Sequence, residues 1–231
     1  MPLPQHPILV VSYIDETRTA LAGIVNKTGA VAVPCANFCE AENLALKSLY
    51  SGMLVDLPSI IKSKGEEKIV AYTLANFFPT LRVRTMGGML IPMAMPGSAK
   101  QDKNLDDFLN KTCEAFMPRT LREFKRHSVY CSTTLHYNDK EYRGFTGNIS
   151  WGGAFIVDVY PEKFTDGGVI TVDFLNFGFS LDASIQLIKP WGERFPPGIG
   201  IMFRELNESA LSTFSTYFKT TREFDRDRLT T

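Results

Sequence analysis

Apolar and polar residues alternate along most of the chain after residue 126. A repeat of two residues is typical of β-strands that bury one face and expose the other. Turn-forming residues separate the segments, as at Asn138-Asp139-Lys140 and Asp166-Gly167-Gly168. The predicted strands cover residues 129–135, 142–149, 154–159, 170–174, 181–187 and 199–203. Short strands joined by tight turns predict a small β-barrel or sandwich.

The pattern changes to helical spacing after residue 206. Asn207 is a suitable N-cap, and the apolar residues that follow it recur at spacings of three and four. These residues are Ala210, Leu211, Phe214, Tyr217 and Phe218. We expect this helix to cover an open end or face of the β-structure.

Residues 7–95 also contain short apolar segments that are rich in β-branched residues. The segments predicted as strands are 8–14, 20–25, 30–33, 69–74 and 81–83, and one helix is predicted at 41–50. The first half of the chain is therefore predicted to be a second β-rich domain. The predicted domain extents are 1–115 and 116–231.

Composition and charge limit the class of protein. The chain has 231 residues with 25 basic and 25 acidic side chains, so its formal net charge is zero. A nucleic-acid-binding protein usually carries a basic excess, and no nucleic-acid partner is expected here. A local basic patch on a neutral chain favours a small anionic ligand. The four cysteines do not form a disulfide framework, and no apolar run could span a membrane, so a cytoplasmic protein is expected.

One segment concentrates positive charge. Arg119–His127 carries four fixed positive charges and one negative charge, a net of +3, directly before the first strand of the second half. Arginine forms paired, charge-assisted hydrogen bonds with phosphate, and it can also pair with the guanine edge or stack on a base. Taken alone, the segment fits a solvated basic linker better than a binding site.

A second segment, Asn148–Gly153, lies between two predicted strands. Asn148 and Ser150 can donate and accept hydrogen bonds in a compact turn, and Gly153 removes a side chain where another group comes close. Taken alone, it fits a hairpin turn that binds nothing.

The two segments together resemble the PilZ family of cyclic di-GMP receptors. Arg122 and Arg126 form an Arg-x-x-x-Arg pattern, and Asn148, Ser150 and Gly153 form an Asp/Asn-x-Ser-x-x-Gly pattern after one strand. Their order and spacing are those of the family, and the resemblance covers residues from about 117 to 220. It implies a six-stranded PilZ barrel followed by an α-helix. The first half resembles, in position and size, the flagellar-brake type of N-terminal domain.

The resemblance implies a mainly β chain with two small β-barrel domains in tandem. It also implies roles for single residues. Arg122 and Arg126 would contact phosphate and guanine, Asn148 and Ser150 would bond a guanine edge or phosphate, and Gly153 would leave room for the base. Further candidates for the cyclic di-GMP site are Arg119, Lys125 and Trp151.

Two neighbours of these motifs refine the expectation. Trp151 could stack on a base, or it could pack on the linker or the partner domain. Leu121 stands where an arginine would add a guanidinium for a second, stacked ligand molecule. We therefore expect one ligand molecule per protomer.

The resulting prediction is a cyclic di-GMP receptor and not an enzyme, with no cofactor, metal or catalytic residue. Ligand would order the arginine segment and change the arrangement of the two domains. Its protein target would lie in the flagellar motor, polysaccharide synthesis or pilus machinery, and the output would be motility, biofilm or exopolysaccharide. A homodimer is compatible with this layout. The alternative is a ligand-free PilZ-fold interaction protein in pilus or secretion assembly.

Overall fold

The computed structural model describes residues 6–86, 89–93, 102, 104–192 and 196–228. The chain forms two compact units. The N-terminal unit ends at Arg122 and also includes Arg228, whose guanidinium pairs with Glu42 and Glu66. The barrel unit is Glu123–Asp227. The domain boundary predicted at 115/116 lies earlier in the chain than this division.

The N-terminal unit is built on an open five-stranded sheet with the order β2-β1-β3-β4-β5. The first four strands are parallel, and β5 pairs antiparallel with β4. The elements are β1 (Ile8–Val11), α1 (Asp15–Lys27), β2 (Ala32–Cys35), α2 (Phe38–Ala45), β3 (Gly52–Asp56), α3 (Leu57–Lys62), α4 (Gly65–Phe77), β4 (Thr80–Met86), β5 (Met89–Pro92) and α5 (Leu105–Asp107), which continues as a π-helix, Phe108–Cys113.

Helices cover both faces of this sheet. Leu9 and Val11 enter a cluster with residues of α2 and α4, whereas Ile8 and Val10 enter a cluster with residues of α1. Both faces of β1 are therefore buried, which explains why its sequence is continuously apolar.

The prediction of a β-barrel in the first half is wrong. Two segments predicted as strands, 20–25 and 69–74, lie in α1 and α4. A short continuous apolar run fits a buried strand and a buried helix face equally well, so periodicity alone does not separate them. The buried residues of α1 are Leu21, Ala22 and Val25, and this spacing is helical. The helix predicted at 41–50 overlaps α2.

The barrel unit is a closed six-stranded antiparallel barrel with the order β10-β11-β8-β7-β6-β9. Its predicted six strands and terminal helix are confirmed, and the described chain is mainly β. The elements are β6 (Ser132–Tyr137), β7 (Lys140–Ser150), β8 (Gly153–Val157), a short 3₁₀ helix (Pro161–Lys163), β9 (Val169–Phe174), β10 (Phe179–Lys189), β11 (Gly198–Phe203) and α6 (Glu208–Phe218).

Helix α6 packs on the aromatic core of the barrel. The Asn207 side chain accepts a hydrogen bond from the Ala210 N–H at 2.8 Å and so caps the helix. Phe214, which is fully buried, contacts Phe179 and Phe203 with ring centroids 5.8 and 6.0 Å apart. The predicted packing of this helix on the β-structure is confirmed. In the part of the chain that the structure describes, no helix combines the length and the apolar character needed to cross a membrane.

Candidate functional site

The end of the arginine segment pairs with the end of β7. The His127 N–H donates to the Ile149 carbonyl at 2.8 Å, and the Ile149 N–H donates to the His127 carbonyl at 2.9 Å. This antiparallel pair sets Arg126 opposite Ser150. Ile149 is fully buried, whereas Arg126 is exposed and Ser150 is partly exposed. Because successive residues of a strand face opposite sides, Arg126 and Ser150 share the outer side of the barrel.

A β-bulge brings Asn148 to the same side. The register between β7 and β8 shifts between Thr146 and Asn148, with Gly147 as the extra residue. Thr146 and Ile149 are both buried, although they lie three positions apart along the strand. The bulge therefore reverses the alternation, so that Asn148 and Ser150 face outward while the core remains apolar.

The turn between β7 and β8 fixes the Ser150 side chain. Ser150 pairs with Gly153 across the two-residue loop, and its hydroxyl donates a hydrogen bond to the Gly153 carbonyl at 3.1 Å. The hydroxyl oxygen keeps lone pairs that can accept a bond from a guanine N–H. The structure thus brings Arg126, Asn148 and Ser150 together on one surface.

Gly153 has a structural role inside the barrel. A Cβ on this residue would lie 2.0 Å from the carbonyl oxygen of Ile201 on β11. The glycine therefore permits the close approach of β8 and β11. Its contribution to a ligand site stays a prediction.

The structure contradicts base stacking by Trp151. The side chain is only 2% exposed and packs edge-on against Phe214 and Phe218 of α6, with centroids 5.9 and 5.5 Å away. Its Nε1 is buried and has no hydrogen-bond acceptor among the described residues. The indole belongs to the core of its own domain and offers no face to a ligand.

The first part of the arginine segment belongs to the N-terminal unit. The Arg119 guanidinium lies 4.8 Å from the centre of the Phe77 ring. Leu121 is 7% exposed, and its N–H donates to the Ala45 carbonyl at 2.9 Å. Arg122 is exposed and ends the unit, whereas Lys125 and Arg126 lie in the barrel unit. The unit boundary therefore divides the Arg-x-x-x-Arg pattern.

Asp225 is a residue of this region that the sequence patterns did not reveal. Its main-chain carbonyl accepts from the Lys125 N–H at 3.1 Å, and its carboxylate accepts from His127 Nε2 at 2.8 Å. The Asp225 side chain is 4% exposed, and the His127 ring stacks on Phe218 with the centroids 4.1 Å apart. A separation of 98 residues between His127 and Asp225 leaves no local signal.

Residues 120–219 match the family model of the PilZ domain. This region is therefore a PilZ domain, and the PilZ family is a family of cyclic di-GMP receptors, not catalysts. A comparison with curated proteins finds no match.

Two solved structures share similarity with part of the chain. The Bacillus subtilis inhibitor of motility, MotI/DgrA, is 15% identical with a TM-score of 0.35, and the match covers 43% of this chain and 51% of that one. The PilZ domain of CeSA from a cellulose-synthesizing bacterium is 20% identical with a TM-score of 0.31, and the match covers 41% of this chain and 96% of that domain. The chain thus spans about half the length of the Bacillus protein.

Proposed function

We propose that this protein is a cyclic di-GMP receptor that binds the dinucleotide on the outer surface of its barrel unit. The observation that carries the proposal is the exchange of two main-chain hydrogen bonds between His127 and Ile149. This pairing places the guanidinium-bearing residue Arg126 on the side of the barrel that also carries Asn148 and Ser150. The match of residues 120–219 to the PilZ domain supports the same ligand.

The chemistry of these side chains suits the ligand. Cyclic di-GMP carries two phosphates and two guanines, and an arginine fork can form paired, charge-assisted bonds with either group. The Asn148 amide offers both donors and an acceptor for a guanine edge, and Ser150 offers an acceptor. Arg122, which is exposed, is the other arginine of the pattern, and Arg119 and Lys125 would add weaker phosphate contacts.

In the switch that we propose, ligand orders the arginine side chains, because the main chain of the segment is already partly fixed. The main chain of Lys125 and His127 is already hydrogen-bonded to Asp225 and Ile149. Ligand would therefore neutralise the mutual repulsion of the arginines and bind Arg122 together with Arg126. Because the unit boundary lies between these two arginines, ligand binding would change the arrangement of the two units and signal to a protein target. Small-angle scattering that is unchanged by saturating ligand would contradict this step.

We further propose one ligand molecule per chain. A second, stacked molecule would need an additional guanidinium next to Arg122. Leu121 occupies that place, and its side chain is packed in the core cluster of the N-terminal unit. A titration that saturates at two molecules per chain would contradict this proposal.

Isothermal titration of the full chain with cyclic di-GMP tests the receptor function. Charged hydrogen bonds are worth about 1.5–3 kcal/mol each, so Arg122→Ala and Arg126→Ala should each raise Kd by about tenfold or more. Arg143→Ala is the matched control, because Arg143 is an exposed arginine of β7 outside the motif. Cyclic di-AMP tests whether the guanine edge is read. No heat from the parent protein would overturn the proposal and favour a ligand-free interaction protein.

A further inference from the structure

We propose that Asp225 is a positioning residue that presets Arg126 for the ligand. The inference deepens the proposed function and rests on it. Asp225 bonds both chain neighbours of Arg126: its main-chain carbonyl accepts from the Lys125 N–H, and its carboxylate accepts from the His127 ring. Arg126 thus lies at the centre of a short segment whose two sides are tied to one residue of the C-terminal tail.

The same short segment is held along both of its edges. On one edge, His127 exchanges two main-chain bonds with Ile149 of β7. On the other edge, the tail adds a bridge between Phe124 and Arg226 and a bond from the Asp227 N–H to the Glu123 carbonyl at 3.0 Å. The tail therefore acts as an additional strand that fixes the main chain from which Arg126 projects.

The buried carboxylate is the feature that makes this contact specific. The Asp225 side chain is 4% exposed, and a buried carboxylate is stable only when hydrogen bonds satisfy it. The His127 ring, which is stacked on Phe218 with an interplanar angle of 7°, presents Nε2 to it. Loss of the carboxylate would leave the ring N–H without its acceptor and would loosen the tail. The ligand would then have to order the arginine itself, which weakens binding.

Electrostatics alone predicts the opposite effect of removing Asp225 on ligand affinity. Asp225 is a negative charge close to a site for a dianionic ligand, so its removal should strengthen binding if charge were its only effect. Weaker binding after its removal therefore identifies positioning. Asp227→Ala is a matched control, because it removes the same charge from the same tail. The contact that Asp227 makes with Glu123 uses its main-chain N–H, which alanine keeps.

The experiment is titration calorimetry of the full chain with cyclic di-GMP. We expect Asp225→Ala to raise Kd about tenfold, which equals about 1.4 kcal/mol. Asp227→Ala should leave Kd unchanged or lower it. Asp225→Asn keeps an oxygen that accepts from His127, so it should restore most of the affinity.

A double-mutant cycle with His127→Leu tests whether Asp225 acts through the His127 ring. Leucine keeps an apolar contact with Phe218 but cannot donate to the carboxylate. If the two residues act through one hydrogen bond, the double variant should bind no more weakly than Asp225→Ala. The double variant also removes both partners of the buried pair, so it remains usable if Asp225→Ala alone does not fold.

The Tm of each variant is measured as well, so that weaker binding is not mistaken for a general loss of folding. Ile170→Val shortens a buried side chain of β9 and should lower the Tm while leaving Kd unchanged. A parent that gives no heat overturns both the receptor function and this inference. A parent that binds, together with an Asp225→Ala variant that binds equally well or more tightly, overturns the inference alone.

Discussion

Gly153 of β8 faces the main chain of Ile201 on β11 so closely that a Cβ would lie 2.0 Å from the Ile201 carbonyl oxygen. No side-chain rotation can relieve this contact, because the obstructing atom belongs to the main chain. We expect Gly153→Ala to destabilise the barrel by about 3 kcal/mol, the upper end of overpacking costs. Thermal unfolding without ligand measures this effect.

The neighbouring glycine is the control for this prediction. A Cβ on Gly152 would lie 3.4 Å from the Phe124 ring, which is an ordinary van der Waals distance. We expect Gly152→Ala to change stability by less than about 1 kcal/mol. Equal melting temperatures for the two variants would show that Gly153 is not required for strand pairing. The Gly153→Ala variant could then be used to measure the contribution of this glycine to ligand binding.

The barrel could be predicted because each of its strands buries one face. Leu181, Ala183 and Ile185 of β10 are buried at every second position, and that alternation fits only a strand. In the N-terminal unit, the central parallel strands β1 and β3 are buried on both faces and show no alternation. The apolar runs of strands and helices therefore looked alike, and segments 20–25 and 69–74 were assigned to the wrong element.

The sequence predicted only those parts of the candidate site whose residues lie in short, continuous motifs. Arg126 and Ser150 belong to two compact motifs, and one strand pairing brings them together. The burial of Trp151 depends on helix α6, which follows it by more than fifty residues. Asp225 reaches His127 through the fold of the tail. Neither contact leaves a periodic or motif-like trace in the chain.

Replacement of Trp191 should leave Trp151 as the source of the tryptophan fluorescence. Trp191 is 64% exposed, whereas Trp151 is 2% exposed, and these are the two tryptophans of the chain. We expect Trp191→Phe to shift the emission maximum to shorter wavelength and to reduce quenching by iodide. Because Trp151 lies in the core, cyclic di-GMP should not change its access to iodide. Strong iodide quenching that the ligand suppresses would instead indicate an exposed ring that stacks on a base. The Trp151→Phe variant, which keeps the exposed Trp191, is the control for quenching of an exposed indole.

Arg126→Lys should separate charge from geometry at the proposed site. Lysine keeps the positive charge but lacks the planar fork that bonds phosphate or guanine at two points. We expect its Kd to lie above that of the parent and below that of Arg126→Ala, because the charge remains while the paired geometry is lost. Arg143→Lys, at an exposed arginine of β7 outside the motif, should bind like the parent. An Arg126→Lys variant with parental affinity would show that only charge matters.

His136 on β6 should titrate above the ordinary range of histidine, because the structure raises its pKa. A hydrogen bond to Asp173 is the main cause that raises the pKa of His136, and the nearby Glu141 carboxylate adds to it. His136 Nε2 lies 2.6 Å from Asp173 Oδ2. Hydrogen bonds from Ser180 and then from His136 lower the pKa of Asp173.

The signs of these shifts define a pH window for the pair. The stability from His136 is fully present below the ordinary histidine pKa, and it is lost as pH rises through the raised pKa of the folded state. The stability from Asp173 is present above the ordinary carboxyl pKa and is lost as pH falls through its lowered pKa. An NMR titration of the His136 ring should therefore show a lower midpoint in Asp173→Asn than in the parent. Asp166→Asn, in the turn before β9, removes an equal charge and should leave that midpoint in place. An identical His136 midpoint in the parent and in Asp173→Asn would contradict the hydrogen bond as the cause.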